Sequence, residues 1–472
     1  MGKEEKRIQS KIVIALVLVL GAVAPMLDST MTNVAVNTIM KDFGAGVDSI
    51  QWVSTGYVLA LGIIVPIAGW AIEWVDGKKI YLYGLLLFLI GSIVAAVSSS
   101  IGVLIIGRVI QGVGSGIIIP LLTTLIVRSA GAENLGSVMS IVSIPAVLAP
   151  ILGPTFGGFI VNSLNWHWIF YINIPIVIFS ALLIIFALPN FEASKDGKKL
   201  DMASIIFLGG AFTSFILGIS KISELVAGTS NKAILPLVIS ALLMGGYVVY
   251  ALLKPNSALV SLKLFKIKNF SASTILLLMS GLTVNGVMFL LPLYLQNIRS
   301  LSVVWSGIYL ISQGIGLLVS RSLVGKLTDK LGARIVVQVS VFIGLVGTIP
   351  FTLFTAGTNN IWIIFVLFIR GIAQGGLTIP VMSDSYINVP KELISEATTA
   401  TRMLQNIGGA IGTAILAVVI QHTIGLQTPT KDLLLSSYHN AFIFTVVSLV
   451  VALIPAFFLT NKRKKEIIKT AN

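Results

Sequence analysis

Cysteine is absent from the 472-residue chain, which excludes disulfides, thiolate-held metals and cysteine nucleophiles. Histidine is nearly absent: His167, His422 and His439 stand at loop edges without ligand spacing, so no metal site is expected. Charge is also scarce, with Asp, Glu, Lys and Arg forming 11% of the residues, against about 25% in soluble globular chains. No G-x-x-x-x-G-K-[ST] run occurs, so ATP is not expected as a partner. No Ser/His/Asp set can be placed on one site, and an enzyme is not expected.

What remains is apolar. The chain is 56% hydrophobic with a mean hydropathy of +0.98. Stretches long enough to cross a bilayer as helices recur from end to end. The pattern predicts an all-α polytopic membrane protein with fourteen spans, at 12–40, 49–75, 79–99, 102–127, 136–161, 166–188, 203–220, 233–253, 271–296, 303–327, 331–355, 361–386, 395–421 and 440–460. The first is too long for a signal h-region and lacks an A-x-A site, so it is expected to stay.

An even count puts both basic ends, KEEKRIQSK and NKRKKEIIK, in the cytoplasm. The net charge of +14 then has a topological meaning. Lys41, Lys221, Lys232, Arg299 and Lys431 fall outside, and Arg108, Arg321, Arg370 and Arg402 lie within spans. All the other Lys and Arg fall in cytoplasmic segments. That is the positive-inside asymmetry, and no nucleic acid is implied.

The two most charged linkers, 189–202 and 254–270, bracket a pair of spans with little polar content. The expected organisation is a six-helix bundle over 1–190, a two-helix insertion over 191–270, and a second six-helix bundle with a basic tail over 271–472. The two sixes resemble each other. GWAIEWVDGKK (69–79) matches GKLTDKLGAR (325–334), IGRVIQGVGSGIIIP (106–120) matches FIRGIAQGGLTIP (368–380), and Glu133 matches Glu392, all at near-constant offset. A duplicated six-span unit of this kind puts the substrate path between the halves.

Asp28 lies in the first span with Thr32 one turn on and Asn33 and Asn37 round the side. A carboxylate there costs about 2.5–3.5 kcal/mol, and such residues mark ion or substrate paths more often than structural sites. Desolvation and nearby cations decide whether it is charged, so a conformational change can switch it. Arg108, Gln111, Gly112 and Ser115 form one stripe in span four, and Asp28 is the nearest candidate counter-ion for Arg108. Arg402, Gln405, Asn406 and Gly409 repeat that spacing in span thirteen. These arginines either serve transport or only tie helices together. GVGSG (112–116) follows no strand and reads as small-residue helix packing. Pro145, Pro150 and GPTFGG (153–158) predict close helix contact and a pivot in span five.

With these motifs the chain resembles major facilitator superfamily transporters, and more narrowly the fourteen-span drug:proton antiporter branch of bacterial multidrug exporters. LDSTMTNVAV (27–36), RVIQGVG (108–114), APILGPTFGG (149–158) and WHWIFYINIP (166–175) are similar to that branch's signatures. The resemblance implies that Asp28 and Arg108 couple protons to substrate and that Gly153, Pro154, Gly157 and Gly158 control opening. The cytoplasmic loop motif departs from the family pattern in the first half, where Gly69 and Glu73 remain but the Arg and second Gly are missing. Asp329, Lys330, Gly332 and Arg334 in the second half are closer, so the second copy is expected to carry more of any latch.

The expected function is proton-driven export of amphipathic, cationic or zwitterionic compounds by alternating access, through a monomer in the bacterial plasma membrane. The proton is the coupling ion and no other cofactor is needed. Deprotonated Asp28 is expected to help hold the substrate between the halves. Tyr57, Asn285, Met288, Phe289 and Gln296 are candidate lining residues beside Thr32 and Asn33. Arg370 belongs to the second-half stripe, where Asn285 stands in place of an acid. The alternative is an exporter of a lipid or lipid precursor on the same fold.

Overall fold

The computed structural model describes residues 3–130, 152–191, 193, 200–222, 225, 230–255, 258–390, 393–424 and 430–461. Glu133, Pro145, Pro150, Glu392 and the basic tail from 462 lie outside the described residues. Among those described there is no strand, and the long α-helices number fourteen. In chain order they are α1 (Lys3–Asp42), α2 (Val47–Trp74), α3 (Gly77–Ala96), α4 (Ile101–Ala130), α5 (152–163) and α6 (Trp168–Ala187, offset at Ile172). Then follow α7 (Met202–Ser220), α8 (Ile234–Leu253), α9 (Lys268–Asn297) and α10 (Val303–Leu331). The last four are α11 (Ala333–Val346), α12 (Asn360–Asp384), α13 (Ile394–Ile424) and α14 (Lys431–Ala456). Thirteen are long and apolar enough to cross a bilayer; the described part of α5 is shorter. Helices are the expected solution, because hydrocarbon leaves no external partner for a backbone N–H or C=O.

The element boundaries differ from the sequence expectation in three places. α14 starts at Lys431 and not at 440, because the Thr430 side chain accepts from the Leu433 N–H at 3.3 Å and caps the helix ahead of its apolar run. α1 reaches back to Lys3, since the charged residues before the span are good helix formers. The span expected over 331–355 ends as an α-helix at Val346 and continues as a 3-10 turn, Ile349–Thr352, with Pro350 near its start.

The duplication is visible in the packing: α3 lies on α4 as α11 lies on α12, and α2 on α4 as α10 on α12. GVGSG does pack helices, with Gly112 against the Tyr57 carbonyl of α2 and Gly114 against Phe88 of α3. α7 and α8 pair with each other, and α7 leans on both α13 and α2. The central pair therefore covers one side of the seam between the bundles. Behind it lies an apolar cavity of about 300 Å³, walled by Leu208 and Met244 of the pair, Leu278 of α9 and Met403 of α13.

The hydrophobic core is divided unequally. Towards the face carrying loops 43–46, 164–167 and 298–302, residues of both bundles form one cluster, including Met31, Val36, Ile160, Phe289, Leu293 and Tyr309. Towards the opposite, terminal face, which carries the turns at 75–76 and Gly332, the first bundle has its own cluster (Leu18, Ile72, Ile80, Leu122) and so does the second (Leu277, Val337, Val381, Leu449). The bundles thus share one cluster at the loop face, called the far face below, and each keeps a cluster of its own towards the terminal face, while a fourth cluster joins Leu59 of α2 to Met403 and Ile407 of α13 through the central pair.

Candidate functional site

Asp28 and Arg108 are both fully enclosed and form an ion pair inside the first bundle, Arg108 Nη1 donating to Asp28 Oδ2. Four helices hold this pair. From α4 one turn on, Gln111 Oε1 accepts from Arg108 Nη1 at 2.8 Å, while its Nε2 donates to Ser92 Oγ of α3 at 2.8 Å. From α6, Asn173 Nδ2 donates to Asp28 Oδ1 at 2.7 Å. From α2, the Val53 carbonyl accepts from Arg108 Nε at 3.0 Å, and the Tyr57 ring lies 4.3 Å below the guanidinium carbon. Each charge therefore meets an opposite charge and further hydrogen bonds, the condition under which a buried pair is tolerated. Pro25 interrupts the α1 hydrogen-bond ladder one turn before Asp28.

The i, i+3 spacing of Arg108 and Gln111 was legible in the sequence. Asn173 and Ser92 were not singled out, although an Asn inside the apolar run of WHWIFYINIP is a signal of its own.

The central cleft is a separate place. It lies between the bundles, walled by Thr30, Asn33 and Val34 of α1, Pro154 of α5, Met288 of α9, and Gln313 and Gln374 of α10 and α12. Asp28 is not on this wall. A helix turns 100° per residue, so Thr30 and Asn33 point to the cleft while Asp28 points into the first bundle. Thr32 shares the buried side and donates to the Asp28 carbonyl at 2.9 Å. Of the other candidate lining residues, Asn33 and Met288 reach the cleft. Tyr57 donates to Ser115 Oγ at 2.8 Å within the first bundle, Phe289 is buried in the shared core, and Asn285 lies against Gly409 of α13. Gln296 donates to the Val34 carbonyl at 2.9 Å and so joins α9 to α1.

GPTFGG forms contacts on both sides of the seam. A Cβ at Gly153 would run into Thr30, and one at Gly157 would meet Met31 Cα at 2.9 Å, both on α1. A Cβ at Gly158 would meet the Val303 carbonyl of α10 at 2.8 Å, and Gly307 of α10 in turn lies against Pro154. Only residues without a side chain allow α5 so close to two helices.

In the second bundle, Arg370 of α12 stands where Arg108 stands in the first. It donates to Thr348 Oγ1 at 2.9 Å and to the Thr283 carbonyl at 3.1 Å. Arg402, Gln405 and Asn406 are half-buried on α13; Gly62 of α2 packs on Asn406 and Gly281 of α9 on the Gln405 carbonyl.

The two loop motifs bind within their own bundles among the described residues. Gly69 has open space where a side chain would stand, and Glu73 lies in the last turn of α2. Asp76 caps α3 by accepting from the Lys79 N–H at 3.1 Å, and Lys78 Nζ donates to the carbonyls of Ile185 and Leu188 where α6 ends. In the second copy, Asp329 and the exposed Lys330 close α10, and Gly332 makes the turn at φ 84°. Arg334 Nε donates to the Leu459 carbonyl at 2.9 Å, beyond the end of α14. Asp384 accepts from the Thr460 N–H at 3.2 Å in the same corner. Each loop thus clamps the exit of its own last helix.

Residues 18–413 match the family model of the Major Facilitator Superfamily. The chain is 28% identical over 408 residues to a "Multidrug resistance protein B homolog" of Mycobacterium tuberculosis, covering 86% of this chain and 75% of that one. It is 28% identical over 465 residues to "Lincomycin resistance protein LmrB" of Bacillus subtilis, covering 94% of each. Among solved structures, a peptide transporter POT in complex with sulfate superposes with a TM-score of 0.69 at 13% identity, over 94% of this chain and 95% of that one. A bacterial homolog of the human lysosomal transporter Spinster superposes at 0.65 and 15% identity, over 98% of both chains. At such identities the structures speak for the fold alone.

Proposed function

Because this chain belongs to the Major Facilitator Superfamily and is a multi-pass membrane transporter, we propose that it exports amphipathic cationic or zwitterionic drugs from the bacterial cytoplasm in exchange for protons. The carrying observation is the division of labour on α1. One side of this helix presents Asp28 to Arg108, and the other presents Thr30, Asn33 and Val34 to the central cleft. The resistance names of the relatives support the substrate class.

Both termini face the cytoplasm in this reading, as the basic segments require, and the far face is external. In this reading the outside is closed, where the bundles share one core, and the cleft of about 20 Å³ widens towards the cytoplasm to receive substrate. Asp28 does not touch the substrate. A proton arriving on its carboxylate removes the charge that holds Arg108, and α1 repacks against α4 and α6. The same movement shifts Thr30 and Asn33 in the cleft and the Val34 carbonyl that accepts from Gln296. Proton binding at one side of α1 thereby changes the seam at its other side. The membrane potential supplies about 2.3 kcal/mol per charge per 100 mV for the cycle. The working unit is a monomer, and the proton is the coupling ion.

Reconstitution in proteoliposomes tests this reading. Ethidium or rhodamine 6G added to the wild type releases protons, and an imposed proton gradient concentrates the dye. Asp28→Asn loses both responses. A D28N protein that still concentrates dye against its gradient sinks the proposal.

A further inference from the structure

Arg370 is a buried cation without an anion. Its relative exposure is 7%, and no carboxylate stands within ion-pair reach among the described residues. Both groups that accept from it, the Thr348 hydroxyl and the Thr283 carbonyl, are neutral, and its Nε has no partner. Its counterpart Arg108 is neutralised by Asp28, but the second bundle has Asn285 where that acid would be, and Asn285 lies on Gly409 instead. A guanidinium at this depth is costly, and two neutral acceptors offset only part of that cost, which leaves it able to gain from an anion.

Arg370 also lines a space. A cavity of about 20 Å³ lies between Arg370, Thr348, Gly344, Ala373 and Gln374, room for about one water-sized group. Gly347 lets α11 approach the Arg370 backbone, where a Cβ would stand 2.8 Å from its N atom. Gln374 belongs to the walls of both this cavity and the central cleft, and its Oε1 accepts from Gln313 Nε2 at 3.1 Å. Gln313 Oε1 has no partner. A polar wall therefore leads from the substrate cleft to the unpaired cation.

We propose that Arg370 binds a small anionic group, either the carboxylate of a compound held in the cleft or an inorganic anion from solution. The forked guanidinium suits such a group, since charge-assisted hydrogen bonds to it are the strong ones. The inference rests on the transport reading for the cleft's role, and it adds a charge preference: zwitterions with a free acid bind better than the corresponding esters.

The test uses purified full-length protein and no proton gradient, so a failure of proton coupling leaves its readout unchanged. Binding of rhodamine B, which carries a free carboxylate, is compared with binding of its ethyl ester in gluconate buffer. Thermal unfolding is compared in chloride and gluconate. If the anion comes from the compound, the wild type prefers the acid by about tenfold or more, and Arg370→Gln removes the preference. If it comes from solution, chloride raises the melting temperature of the wild type and not of Arg370→Gln, while acid and ester bind alike. Arg370→Lys keeps part of either response. Should R370Q fail to fold, Ala373→Val fills the cavity and leaves the cation in place; it must remove the response. A wild type with neither response, or a variant that keeps the wild-type response in full, overturns the proposal.

Discussion

Gln296 of α9 donates its side-chain N–H to the main-chain carbonyl of Val34 on α1, at 2.9 Å, across the seam between the two bundles. Val34 lies within two turns of Asp28, on the helix that also lines the cleft. The ion pair, the cleft and the far-face closure are therefore linked by one helix. The predictions below follow from that linkage.

Asp28→Asn leaves Arg108 buried and unpaired, and breaking such a pair costs about 3–5 kcal/mol. A lowered melting temperature and no dye-induced proton release are expected. Adding Arg108→Gln restores much of the stability and none of the proton release. Equal losses that simply add in the double variant would contradict a direct pair.

Asn173→Ala removes the α6 donor to Asp28 without touching the cleft. Loss of a hydrogen bond to a charged group is worth about 1.5–3 kcal/mol. Proton-coupled dye transport should fall by about tenfold or more, while dye affinity measured without a gradient stays near the wild-type value. A matching fall in affinity would place Asn173 in the substrate site instead.

Gly158→Leu puts a side chain where the Val303 carbonyl stands, so the far face can no longer close. The variant should insert normally and lose transport. The cysteine-free chain allows a direct check with spin labels at Phe159 and Trp305, both exposed. A longer label distance than in the wild type is expected, and an unchanged distance with unchanged transport refutes the closure role.

Gly332→Val forces φ 84° on a branched side chain and crowds Thr460 and Asn461. Such backbone strain costs about 1–3 kcal/mol. Hydrogen exchange should rise in 459–461 and in the first turn of α11, with proton coupling retained. Loss of coupling without local loosening would assign this loop to the latch between halves, and not to the clamp within its own bundle.

Much of this molecule was legible before any contact was known. Span number and type follow from apolar length, because a bilayer rejects unsatisfied backbone. The duplication follows from matched motifs. Asp28 was legible as the nearest candidate counter-ion for Arg108, and the folded chain makes that contact. Helix starts were less legible, and Lys431 shows why: a charged first turn hides a helix that its Thr430 cap begins.

The sequence alone determined that Asp28 must face protein or water, since a carboxylate well inside an apolar span is costly against lipid. It could not determine which way the carboxylate points. The tertiary structure decided that, turning Asp28 into the first bundle towards Arg108 and Asn173 and leaving Thr30 and Asn33 for the cleft. It likewise decided that Arg108 is neutralised and that Arg370 has no carboxylate beside it among the described residues. Both arginines sit in similar motifs, and only the packing of distant helices determines whether an acid stands beside each one.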